Sequence, residues 1–175
     1  IRKFGKVLGE FIGVQPYQNW QKAFDPLLAP GSRNYWKSHN FTEISEGAID
    51  VTMKYVSKLP SSQCEIFFGQ IGAATTRKQK NATAYSHRDA IWVCNVHGRW
   101  ENAADDKKII EWSRGFFNDA APFASAGAYV NFLTDDEGER VRSAYGPSYQ
   151  KLVKIKRKYD PENLFRMNQN ISPGK

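Results

Sequence analysis

The residues of this chain that could do chemistry are a few amides, tyrosines and histidines set among apolar strand-like runs. Residues 90–100 are rich in Ile, Trp and Val and read as a strand. Side chains alternate across a strand, so Asn95 and His97 share one face while Trp92, Cys94 and Val96 share the other. A half-buried strand does this with no function at all, yet Asn and His are poor strand formers and suit hydrogen bonding to a substrate. Residues 127–132 read as a second short strand, with Tyr129 and Asn131 on a common face. A buried amide is costly unless satisfied, and because it both donates and accepts it matches the edge of a heterocycle. Gln70 interrupts another apolar run in the same way. Each of these residues taken singly has a structural reading of equal weight. Together they predict a polar floor on one sheet face. His87, ahead of Arg88 and Asp89 at a loop-to-strand junction, is expected to make structural hydrogen bonds.

Other chemistries find no support in the sequence. It contains no phosphate loop, G-x-G-x-x-G, H-E-x-x-H or nucleophile elbow, and no metal-ligand spacing. Two cysteines, Cys64 and Cys94, make neither a disulfide framework nor a zinc pattern. One bridge between neighbouring strands is conceivable, but buried free thiols are the preferred reading. The net charge of +7 invites a nucleic-acid partner. Its densest run, Lys151, Lys154, Lys156, Arg157 and Lys158, is interleaved with Leu152, Val153, Ile155 and Tyr159. That is an amphipathic helix with a solvated basic face, so no nucleic-acid partner is expected. No apolar run reaches bilayer length and no membrane partner is expected. Three Asn-x-Ser/Thr sequons, at Asn40, Asn81 and Asn170, do not set a compartment, and the location is left open between cytoplasmic and secreted.

The elements that must position these residues follow from periodicity and turn chemistry. The length of 175 residues, with 41% hydrophobic and 14% aromatic content, suits a folded domain. Strands are expected at 6–14, 33–41, 63–72, 90–100 and 127–132. Helices are expected at 17–24, from an N-cap at Thr42 to Leu59, from Asp105-Asp106, from Asp135, and over the basic stretch to Tyr159. In the Thr42–Leu59 helix, Ile44, Ile49, Met53 and Val56 are read as a core stripe. The mixture is not a strict βαβ alternation. It predicts an α+β fold, an antiparallel sheet covered by helices on one face, with the other face free for a partner surface.

The last third carries a longer signature. Ala128-Tyr129-Val130-Asn131-Phe132, Asp136-Glu137-Gly138, Tyr145-Gly146 and Tyr159-Asp160-Pro161-Glu162-Asn163-Leu164-Phe165-Arg166-Met167-Asn168-Gln169-Asn170-Ile171 follow one another. This series resembles the C-terminal end of the berberine bridge enzyme-like FAD-linked oxidases, flavoproteins of the vanillyl-alcohol-oxidase type. Tyr35-Trp36-Lys37-Ser38 and His87-Arg88-Asp89-Ala90 look like family segments in the same order, so the resemblance covers nearly the whole chain. It implies a substrate-binding domain over residues 1–158. A tail, 159–175, would return to an FAD-binding domain of the same polypeptide. FAD would be bound mainly by that other domain, which agrees with a chain that starts at Ile1 without an initiator Met.

The resemblance further implies hydride transfer from a small-molecule alcohol, sugar or amine to flavin N5, with O₂ as acceptor. Asn131 matches a family Asn facing flavin and substrate, and Asn168 and Asn170 match tail positions beside the cofactor. Asn95 falls where sugar-oxidising relatives place an amide for substrate contact, with Gln70 and Lys37 as looser substrate-side candidates. Many members read Y-x-N-Y, the last Tyr being the expected base, and here that position is Phe132. Tyr129, His97 or Tyr35 would have to take that role, or the substrate would be an amine or another pre-activated donor. The chain alone is expected to be inactive, and the alternative reading is a stand-alone ligand-binding module without redox activity.

Overall fold

The computed structural model describes residues 3, 5–7, 10–125 and 127–174, and of Leu27 the backbone alone. The chain divides into two compact units, residues 1–32 and 33–175. The first holds helix α1 (Tyr17–Lys22) and a 3-10 turn over Asp25–Leu28. Trp20 and Phe24, four residues apart, meet edge to face with ring centroids 5.5 Å apart. The strand expected over 6–14 is not formed at its described positions, 6, 7 and 10–14; Leu8 and Gly9 lie outside the described residues. A strand needs a ladder partner, and the described residues of this unit supply none.

The second unit is the α+β fold. Three antiparallel strands, β1 (Arg33–Phe41), β2 (Glu65–Gln70) and β3 (Trp92–Trp100), lie in the order β1-β3-β2. The register sets Lys37 opposite Val96, Ser38 opposite Asn95, and Phe67 opposite Asn95 on the other side. One face presents Phe41, Phe68, Cys94, Val96 and Trp100, and helices α2 (Glu46–Val56) and α3 (Asp106–Ala120) cover it. Phe41, Ala48, Cys94, Val96, Phe116 and Ala120 form the main core. Helix α3 approaches β3 closely at Gly98, where a Cβ would fall 2.5 Å from Ile109 Cγ2. Both cysteines are free and buried, and burial pushes the Cys94 thiol up to about 12, so it is inert as a nucleophile.

Helix α2 starts later than its sequence suggests. Ser45, not Thr42, is the N-cap, its Oγ accepting from Ala48 N at 3.3 Å, and the helix ends at Val56 rather than Leu59. Its buried side is Ala48, Val51 and Tyr55, while Ile49, Met53 and Val56 point outward. The phase is set by tertiary contact: the Phe123 ring lies against Gly47, where a Cβ would come within 2.3 Å of it.

The strand expected over 127–132 is replaced by a 3-10 turn, Val130–Phe132. Gly127, at φ +92°, turns the chain, and Phe132 N bonds Tyr129 O at 2.9 Å instead of joining a ladder. This turn covers the second sheet face, with Phe132 edge to face on Phe67 at 6.0 Å, so that face is not left free as expected. A capped 3-10 turn (Asp135–Glu137) and helices α4 (Arg140–Tyr145) and α5 (Tyr149–Tyr159) follow. Contacts from this region close the outer edge of β1: Ser125 N bonds Asn40 O at 2.8 Å, and an Arg140 guanidinium nitrogen bonds Ser38 O at 3.0 Å. In α5, Lys151, Lys154 and Lys158 are exposed and Leu152 and Val153 half-buried, but Ile155 and Tyr159 of the expected apolar stripe are exposed and Lys156 is half-buried against Asp160. After α5, the Asp160 carboxylate accepts from Leu164 N at 2.7 Å and Phe165 N at 3.1 Å, folding the tail into a turn.

Candidate functional site

A cavity of about 630 Å³ opens beside β1. Asn34 and Trp36 from β1, Arg114 from α3, Asn131 and Asp136 from the segment after Gly127, and Asn168 from the tail are among its walls. Asn131 and Asn168 are far apart in sequence, and the structure brings them to one polar space. Asn168 sits at φ +57°, a left-handed turn that asparagine tolerates better than most residues. Asn170 bonds back to Asn168 O through its N–H at 2.9 Å and supports that turn. A second, more apolar cavity of about 500 Å³ is walled by Tyr85, Val93, Tyr129 and Tyr145. Asn131 Nδ2 donates to Tyr129 OH at 2.9 Å, so this pair ties one cavity to the other.

The floor beneath the Val130–Phe132 turn is the second face of the sheet. Ser38, Asn40, Asn95 and His97 lie on it, all buried. Asn95 Oδ1, Ser38 Oγ, Trp36 Nε1 and both amide atoms of Asn40 are buried without a hydrogen-bond partner in the protein. A buried polar atom without a protein partner is costly, and such atoms are commonly met by an ordered water or a ligand. His97 Nε2 lies 2.9 Å from Asn34 Oδ1, and Nδ1 lies 3.4 Å from Glu65 Oε1. Burial lowers its pKa against the opposing pull of Glu65, so the ring is neutral at pH 7 with one N–H for two acceptors.

The other proposed substrate contacts stand elsewhere. Gln70, expected on one polar floor with Asn95 and His97, lies on the opposite, helix-covered face, as does Lys37. Gln70 ends β2, exposed, with β3 between it and β1. Lys37 is buried, its ammonium 2.6 Å from Asp136 Oδ1, 3.1 Å from Thr134 Oγ1 and 3.4 Å from Glu137 Oε2. Asp136 also accepts from Tyr35 OH at 2.8 Å and from Arg114 at 3.0 Å. Burial alone would raise the Asp136 pKa, but the bonds from Lys37, Thr134, Tyr35 and Arg114 outweigh it and hold the carboxyl well below its ordinary range. Tyr35 also accepts from Arg114 Nε at 2.9 Å; burial, against that bond, raises its pKa, so it is a phenol at neutral pH and a poor base.

Sequence reasoning did not pair Asp136 with Lys37, Tyr35 and Arg114. Tyr35-Trp36-Lys37 and Asp136-Glu137 stood out as separate segments, and nothing in the sequence singled out Arg114. Among the described residues no group of three or more His, Cys, Asp or Glu could hold a metal ion. No helix of the described residues is long and apolar enough to cross a membrane.

Residues 128–172 match the family model described as berberine and berberine-like. Residues 128–172 thus carry the berberine-like domain. An FAD-linked oxidoreductase of Bacillus subtilis, YgaK, is 26% identical over 196 residues, covering 96% of this chain and 43% of its own length. Berberine bridge enzyme-like C-1 of Nicotiana tabacum is 35% identical over 143 residues, covering 62% of this chain and 25% of its own. The chain thus spans less than half the length of these curated relatives. Among solved structures, BBE-like #28 from Arabidopsis thaliana superposes with a TM-score of 0.73 at 20% identity, over 81% of this chain and 34% of that one. A glycopeptide hexose oxidase complexed with teicoplanin gives a TM-score of 0.74 at 21% identity, over 82% and 33%. At these identities the structures establish the shared fold.

Proposed function

We propose that this chain is the substrate-binding part of an FAD-dependent oxidase, in which hydride passes from an alcohol, sugar or amine carbon to flavin N5 and O₂ is the final acceptor. The observation that carries this reading is the meeting of Asn131 and Asn168, both matched to cofactor-side positions of the family, at one cavity. Their amides can donate and accept, which fits the mixed donor–acceptor edge of a flavin ring. The cofactor would be held mainly by an FAD-binding domain of the same polypeptide. Asn131, Asn168 and Asn170 would meet it from this side, and the exposed Leu164, Phe165 and Met167 of the tail would pack on that domain.

The remaining residues bind, orient and move protons. Asn95 lines neither cavity, and its buried, unpartnered Oδ1 beneath the Val130–Phe132 turn would meet substrate only where that turn moves aside. An alcohol needs a base near its hydroxyl as the C–H bond breaks, and Phe132, packed on Phe67, has no atom for that. Tyr129 serves as that group, its oxygen accepting from Asn131, and neutral His97 reaches the larger cavity through Asn34. Lys37 acts on the site indirectly, by holding Asp136 and the segment that carries Asn131. The test is expression of the complete polypeptide with FAD and measurement of hydrogen peroxide release in air from panels of alcohols, sugars and amines. Peroxide from one class supports the proposal. A flavin-free protein that binds such compounds without turnover would replace it with a ligand-binding module.

A further inference from the structure

The C-terminal end of α4 is closed by a loop from far upstream. Ser86 Oγ donates to Tyr145 O at 2.9 Å and lies 2.9 Å from Ser148 Oγ. His87 Nε2 is 2.9 Å from Ser143 O and 3.0 Å from Ala144 O. Carbonyl oxygens only accept, so Nε2 carries a proton and shares it between them. Gly146, at φ +51°, directs its own N–H to Arg142 O and Ser143 O. The carbonyls of residues 142–145, which a helix end leaves without intrahelical donors, are thereby all satisfied.

The same imidazole packs against Gly127. A Cβ at Gly127 would lie 2.0 Å from His87 Cε1, 2.4 Å from Nε2 and 2.5 Å from Nδ1. The ring therefore fills the space that any side chain at 127 would need. Tyr85 closes the pocket edge to face, its centroid 6.2 Å from the imidazole. Gly127 leads directly into Ala128, fully buried against Val141 and Ala144 of α4, and then into Tyr129-Val130-Asn131. The helix end and the start of the Tyr129–Asn131 segment are thus held by one side chain.

We propose that His87 is the positioning residue for the Tyr129–Asn131 pair: protonated at Nε2, it clamps the segment after Gly127 to the end of α4. Its bearing on catalysis rests on the functional reading above, whereas the clamp stands or falls by itself. Three measurements on the 175-residue chain decide the clamp. In nitrogen-15 correlation spectra of the unaltered chain, the His87 ring shows a slowly exchanging proton on Nε2; a ring protonated only at Nδ1 overturns the proposal. In a double-mutant cycle, Gly127→Ala raises the unfolding constant strongly beside His87, and by about tenfold less in a His87→Ala background, where the clash is gone. Additive effects overturn it. Hydrogen exchange supplies the positional readout: amides of 128–133 exchange about tenfold faster in His87→Ala, and His87→Gln, which retains an N–H donor, restores protection while β3 is unchanged throughout. Equal exchange in His87→Ala and the unaltered chain contradicts the clamp even if peroxide release has been observed. Intact clamping with no peroxide release would refute only the functional reading.

Discussion

The two faces of the β1-β3-β2 sheet are built from the same strands and differ in almost everything else. The helix-covered face packs Phe41, Cys94, Val96 and Phe116 into an apolar core, and its buried Lys37 and His39 are partnered by Asp136 and the Phe117 carbonyl. The opposite face sets Ser38, Asn40, Asn95 and His97 under a short 3-10 turn and leaves several of their polar atoms without protein partners. The first face is what a sheet does to be stable. The second gives up some of that stability, and such departures from good packing are where functional sites are expected.

The largest test of the difference lies on the apolar side. Phe116→Ala should lower unfolding free energy by about 4 kcal/mol, read by denaturant titration, because a buried ring leaves a cavity. At the rim, Asp136→Ala should cost about 3 kcal/mol, since it strips buried Lys37 of its nearest counter-charge. The Asp136 pKa is depressed in the fold, so its contribution is full above about pH 4 and disappears as pH falls through the folded value. The variant should accordingly lose less stability than the unaltered chain on acidification below pH 4. On the polar face, Asn95→Ala should cost under about 1 kcal/mol, because its Oδ1 gives up no protein partner. A cost on Asn95 matching that on Phe116 would erase the distinction between the faces.

Sequence alone reached the regular half of this comparison. Strand alternation located β1 and β3 and placed Asn95 with His97, and the Asp105-Asp106 pair marked the start of α3. It missed where phase or conformation is set by distant contacts. Phe123 against Gly47 fixes the rotation of α2, and Gly127 with its local hydrogen bonds converts an apparent strand into a turn. Tyr129 and Asn131 were expected together because alternate strand residues share a face; they do meet, but through a direct hydrogen bond within the turn. The tail motif was legible as a signature and not as a shape. Its Asp160 accepts three hydrogen bonds, from Lys156, Leu164 and Phe165, and Asn163 takes a left-handed conformation, which spacing alone does not reveal.

The central claim, that this chain presents Asn131 to the reacting centre of an FAD-dependent oxidase, is tested most directly by stopped-flow flavin reduction. The complete polypeptide and its Asn131→Ala variant would be mixed anaerobically with a substrate identified by peroxide release. Loss of a hydrogen bond made at the reacting centre predicts reduction slowed by about tenfold or more at saturating substrate. Reduction at an unchanged rate would contradict the account.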